Sequence, residues 1–140
     1  KSKYTEEHWM YIPDKKINFY RIGFYDNILD ADKLSMYIEI GYGKNDVITE
    51  RTVQEQLKLT LENLHKLGII DDETKLEAHS TIIMDPAYVH INTETEKRIR
   101  EFKEREAGNN IYTIGRYGAW TYCSMEDCMI AAKNLAKKLK

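Results

Sequence analysis

Ile17-Asn18-Phe19-Tyr20-Arg21-Ile22-Gly23-Phe24 is rich in β-branched and aromatic residues, the composition that suits a pleated, half-buried strand. What lies on either side of it sets the fold class. Upstream, His8-Trp9-Met10-Tyr11-Ile12 has the same character and stops at Pro13-Asp14, a turn signal, so the two runs predict a hairpin. Downstream, a polar loop over 26–33 leads to a third run over 34–42. There Met36, Ile38 and Ile40 fall on one face, which should be buried. Strands joined by such short connections pair antiparallel.

Beyond residue 50 the apolar period changes. Val53, Leu57, Leu61 and Leu64 recur at helical spacing and predict a helix over 52–67, with Thr52 and Glu55 as a capping box and Gly68 at its C-terminal end. Residues 76–84 read as a strand ended by Asp85-Pro86, and 88–91 as a shorter one. Thr93 and Glu96 form a second capping box before a surface helix over 94–107, whose apolar anchors are Ile99 and Phe102 and whose charges pair along a solvated face. Gly108-Asn109-Asn110 breaks it, and 111–114 reads as a last short strand. A final helix then carries Met125, Cys128, Met129, Ala132, Leu135, Ala136 and Leu139 on one stripe. The order predicts an α+β fold: a mainly antiparallel sheet with about three helices packed on it, residues 1–140 forming a single unit with no repeat or linker.

The 140 residues suffice for one domain with a core. A net charge of −2, with both signs interspersed, gives no electrostatic footprint for nucleic acid or an anionic membrane. No apolar run approaches the roughly 20 residues of a membrane span, and the first residues resemble no signal peptide, so a cytoplasmic protein is expected. Cys123 and Cys128 lack Cys-x-x-Cys spacing and suggest no disulfide framework; Cys128 reads as a core cysteine. His8, His65, His79 and His90 are scattered without metal-ligand spacing, and no metal site is expected. Arg21, with Tyr20 and Tyr25 close by, is a candidate for lining a sugar or nucleotide pocket, or else packs on the sheet face with a solvated head.

The segment richest in chemistry is Gly115-Arg116-Tyr117-Gly118-Ala119-Trp120-Thr121-Tyr122-Cys123-Ser124-Met125-Glu126-Asp127. Two glycines allow a ligand close to the backbone, Arg116 can pair with phosphate, and Ser124 begins a helix whose first N–H groups, at Ser124, Met125 and Glu126, favour an anion. The glycines could equally shape a turn, with Ser124 and Asp127 as an ordinary cap.

Gly115-Arg116-x-Gly118-x-Trp120-x-Tyr122-x-Ser124-Met125-Glu126, with the Ala-rich helix after it, resembles the C-terminal flavin motif of UDP-galactopyranose mutases and the related amine-oxidase and protoporphyrinogen-oxidase-like flavoproteins. Ser124 stands where the family has aspartate, and Trp120 where it has tyrosine. The resemblance implies that Gly115, Arg116, Ser124, Met125 and Glu126 contact FAD, with Arg116 at its pyrophosphate. It also implies that Tyr122 and Arg21 face the substrate, a small molecule such as a sugar nucleotide.

A flavoprotein of this kind also needs a strand, Gly-x-Gly-x-x-Gly and a helix. Gly41-Tyr42-Gly43 lacks the third glycine and reads as a turn, and the first residue is lysine. The resemblance therefore implies the substrate-side portion and C-terminal FAD motif (110–140) of a larger FAD-dependent oxidoreductase, whose N-terminal Rossmann portion lies elsewhere. Cell-surface polysaccharide synthesis is the implied setting, and a UDP-sugar mutase-like reaction the alternative chemistry. No catalytic residue is assigned, and weak or no FAD binding and no turnover are expected of this chain by itself. A non-catalytic ligand-binding or interaction module is the rival from another class.

Overall fold

The computed structural model describes residues 2–139. The chain has an α+β fold and gathers into two compact units, one ending at Thr81 and the other beginning at Ile82. Each is described by itself.

In the first unit, β1 (Trp9–Tyr11), β2 (Arg21–Phe24) and β3 (Met36–Glu39) form a three-stranded antiparallel sheet in the order β1-β2-β3. Met10, Ile22 and Ile38 stand opposite one another, and so do Trp9, Gly23 and Tyr37, and Tyr11, Arg21 and Glu39. Because side chains alternate across a strand, the first row faces the core and the other two face away from it. Ile17, Phe19, Ile22, Phe24, Leu64 and Ile69 make up the core, with Met36, Ile38 and Ile40 packed against it as the alternation predicts. Within the predicted polar loop lies a short helix, α1 (Tyr25–Leu29), which closes at Asp30 in the left-handed region, φ 49°.

Helix α2 (Glu50–Lys66) starts earlier than its apolar spacing suggests. Thr49 is the N-cap, and its hydroxyl and that of Thr52 each accept the other's backbone N–H, at 3.1 and 3.2 Å. Thr52 is therefore the inner half of the capping box and not its start. Glu55 pairs instead with Arg51 at 2.8 Å. At the other end Gly68, φ +62°, lets its N–H reach His65 O (2.8 Å) while Ile69 N–H reaches Leu64 O (2.9 Å). That double closure places Ile69 beside Leu64 in the core.

The face of α2 that is buried is partly polar. Asn18 Nδ2 donates to Gln56 Oε1 (2.8 Å) and Thr60 Oγ1 (2.9 Å), and Asn18 Oδ1 accepts from Asn63 Nδ2 (2.9 Å). Leu64 is buried, whereas Val53, Leu57 and Leu61 are half-buried. No strand forms over 76–84, and that stretch is exposed throughout. Strand propensity needs a neighbouring strand to be realised, and none is offered there. Glu77 meets Lys33 at 2.9 Å instead.

The second unit holds α3 (Thr93–Ala107), the single turn α4 (Gly115–Gly118) and α5 (Met125–Lys138). Asn92 and Thr95 cap α3, one residue before the predicted Thr93–Glu96 box. Its charged face carries the expected pairs, Glu94–Arg98 at 2.8 Å and Lys97–Glu101 at 3.9 Å. The predicted strands over 88–91 and 111–114 are absent. His90 O is taken by Thr95 Oγ1 and Trp120 Nε1, both at 3.1 Å, and Ile111 N–H closes α3 on Glu106 O (2.9 Å), so neither group is free for a ladder. Val89 alone is buried among the described residues of this unit. On the α5 stripe only Cys128 and Leu135 are even half-buried, while Met125 and Met129 are exposed.

Gly23 matters to the sheet because a β-carbon there would lie 1.9 Å from Tyr37 Cε1, so the Tyr37 ring lies across the strand where a side chain would stand. Gly23→Ala should destabilise the first unit by about 1–3 kcal/mol through overpacking. In a Tyr37→Ala background the same change should cost less than half as much, read as the coupling in a urea-unfolding double-mutant cycle.

Candidate functional site

The corner between α4 and α5 folds as its glycines require. Gly115 has φ +80°, a conformation that side chains resist, and Gly118 approaches Thr113 so closely that a β-carbon would lie 3.3 Å from the Thr113 backbone. Ala119 N–H donates to Gly115 O (2.8 Å) and Thr121 N–H to Arg116 O (3.0 Å), while Trp120, φ 48°, turns the chain back. Two aromatic side chains fasten this turn to the preceding segment. Tyr117 donates from its hydroxyl to Ala87 O (3.0 Å), and Trp120 donates from its indole to His90 O.

Arg116 sits at the centre. Its Nη2 and Nε donate to Cys123 O at 2.7 and 3.3 Å, holding the loop ahead of α5. Its guanidinium lies 4.7 Å from the centre of the Tyr122 ring and 6.0 Å from that of Tyr88, and the two rings stack with centroids 6.2 Å apart. Arg116 and Tyr122 are thus brought together. Tyr88 is the member of the cluster that sequence reasoning misses; it lies far along the chain, in a stretch whose signal is that of a strand.

Ser124 caps α5 with Asp127 as the spacing predicts. Asp127 N–H donates to Ser124 Oγ (3.1 Å), and Ser124 N–H and Oγ both donate to Asp127 Oδ2 (2.8 Å each). These donations hold the Asp127 carboxyl below its ordinary range. They also correct one expectation: the Ser124 N–H is consumed inside the cap and is no donor for a ligand. The N–H groups of Met125 and Glu126, by contrast, have no partner among the described residues. Cys123 and Cys128 are both half-buried free thiols, so Cys128 is no core residue; their sulfurs lie 3.5 Å apart.

Arg21 belongs to the first unit, on the outer sheet face. It forms a salt bridge with Glu39, donates from Nη1 to the Tyr11 hydroxyl (3.3 Å) and lies 5.7 Å from the centre of the Tyr11 ring. The Glu39 hydrogen bond raises its already high pKa further. Tyr20 joins the cluster by donating to Glu39, and Tyr25 packs on Tyr37 with ring centroids 5.1 Å apart. Trp9 and Tyr11 stay exposed beside them. Among the described residues no group of His, Cys, Asp or Glu is arranged to hold a metal ion, and no helix is long and apolar enough to cross a membrane.

No protein-family model, curated protein or solved structure matches the chain.

The depressed Asp127 carboxyl gives a test of the cap. Its stabilising effect is fully present above the ordinary aspartate value and is lost as pH falls through the lower folded value. An NMR titration should place its midpoint below the ordinary 3.8, and Ser124→Ala should move it back up. A wild-type midpoint at 3.8 or higher would show that the cap bonds do not form in solution.

Proposed function

We propose that this chain forms the substrate-side portion and C-terminal flavin-contacting motif of an amine-oxidase-like, FAD-dependent oxidoreductase, a cytoplasmic enzyme acting on a small molecule in cell-surface polysaccharide synthesis. The N-terminal Rossmann portion would be its partner in holding FAD. The observation that carries the proposal is the grouping of Arg116 and Tyr122 at the turn into α5, whose Met125 and Glu126 N–H groups have no partner among the described residues.

The donor set suits a diphosphate. A guanidinium has five N–H groups, and the two bonds to the Cys123 carbonyl leave three of them over. Arg116 would supply the positive charge and a fork of donors, while Met125 and Glu126 would add backbone N–H groups at the positive end of the helix dipole. Gly115, in its left-handed conformation, keeps the turn free of a β-carbon. The acidic first turn of α5 works against an anion: Glu126 and the ionised, cap-bound Asp127 are both opposing charges for Arg116 to offset. FAD, when bound, would supply the redox chemistry; the residues here orient it and neutralise its phosphates.

Tyr122 stays 67% exposed, with its hydroxyl unpartnered among the described residues. The resemblance makes a sugar nucleotide the candidate substrate, and a UDP-sugar mutase-like reaction is the second reading. Arg21, held by Glu39, would present an arginine of fixed orientation to the same class of substrate.

In the parent protein, Arg116→Ala should weaken FAD retention by roughly thirtyfold, the equivalent of about 2 kcal/mol for a lost charge-assisted hydrogen bond. Flavin fluorescence titration reads this directly, and Tyr122→Phe should leave retention unchanged while weakening substrate. Undiminished retention in Arg116→Ala, with the melting temperature also unchanged, would overturn the pyrophosphate role. A parent protein free of flavin would favour the non-catalytic binding module.

A further inference from the structure

The chain has two cysteines, and the fold brings both to the same turn. Cys123 is the last residue before the Ser124 cap, and Cys128 lies in the first turns of α5, its N–H donating to Ser124 O at 3.2 Å. Their sulfurs are 3.5 Å apart, against about 2 Å in a disulfide, so closing a bridge requires the two side chains to rotate toward each other. Gly115 adjoins the pair: a β-carbon at that position would stand in ordinary contact with Cys128 Sγ, at 3.8 Å. The backbone at Cys123 is also the acceptor that Arg116 holds with two hydrogen bonds. The pair is therefore built into the support of the corner.

We propose that Cys123 and Cys128 are a reversible thiol–disulfide pair, and that closing the bridge fastens the Cys123 loop, with the carbonyl that anchors Arg116, to the first turns of α5. The oxidant is a low-molecular-weight disulfide. The thiolate of one cysteine attacks a sulfur of that disulfide, forming a mixed disulfide and releasing one thiolate. The second cysteine, on losing its proton, attacks the protein sulfur of the mixed disulfide and expels the other thiolate. Two protein thiols are oxidised to one S–S bond, the external disulfide is reduced to two thiols, and the two protons pass to the leaving thiolates. The Cys123 thiol is held above its usual range by its hydrogen bond with Cys128, then by burial, with Asp127 acting in the same direction and Arg116 against it.

The test uses the folded chain equilibrated with mixtures of reduced and oxidised glutathione, quenched with acid, alkylated and weighed, alongside the same chain in guanidinium chloride. The expected result is loss of both alkylation sites together and a peptide cross-linked between Cys123 and Cys128. The folded chain should form the bridge about tenfold more readily than the denatured one, a potential about 30 mV more reducing. Cys128→Ser should instead retain one glutathione on Cys123. Hydrogen exchange over 121–125 should be slower in the bridged form than in the reduced form. Two mixed disulfides, a disulfide-linked dimer, exchange over 121–125 unaltered by bridging, or a bridge formed no more readily in the folded chain would each overturn the proposal. The wild-type comparison decides the matter even if Cys128→Ser fails to fold, and no part of it depends on flavin.

Discussion

One amide side chain, that of Asn18, joins the sheet of the first unit to its long helix. It sits just ahead of Phe19 and β2, and it reaches Gln56, Thr60 and Asn63, side chains one helical turn apart on α2. Hydrophobic burial by itself would tolerate sliding of a helix along a sheet; a set of directional bonds withdrawn from water does not. Breaking one partner strands the others, at about 1–3 kcal/mol for each buried group left unpaired. With α2 held in that register, Leu64 and the Ile69 that follows its glycine closure meet Ile22 and Phe24 in the core.

This dependence explains which parts of the fold were legible. The hairpin, the third strand and its inward face are written as alternation, and alternation survives because each strand finds a neighbour. Residues 76–84 carry similar propensity and form nothing, because the missing partner is a fact about the rest of the fold. The helix starts show a subtler limit. Threonine can serve at either end of a capping box, so Thr49 with Thr52 and Thr52 with Glu55 look alike along the chain. The choice falls to whichever residue has an extended backbone, and here that is Thr49. The division at Thr81 is equally silent, since no Pro-, Gly- or Ser-rich linker marks it.

At the corner, local chemistry was readable and its allocation was not. The Ser124–Asp127 cap follows from spacing, and so does Arg116 as the one cation among the glycines. Which acceptor Arg116 would hold could not be read, because a backbone carbonyl has no signature in the alphabet of side chains. The loss of the Ser124 N–H to its own cap follows from the same spacing, once Asp127 is recognised as an acceptor for the backbone as well as for the hydroxyl. Tyr88 joins the cluster only through folding. The proximity of Cys123 and Cys128 likewise comes from the turn at Ser124, which brings back within reach two residues that an extended chain would keep apart.

Among its described residues the second unit buries one hydrophobic side chain, Val89, and is held by helix caps, close-range ion pairs and the hydrogen bonds of Tyr117 and Trp120. Such a unit has little packing for a substitution to disturb. Most side-chain replacements on α3 and α5 would leave the helices standing and alter only what they present. Exposed side chains on α3 and α5 are thus little constrained by volume, whereas those around Ile22 and Phe24 are. Tolerance to mutation would then divide the chain near Thr81 more sharply than composition does.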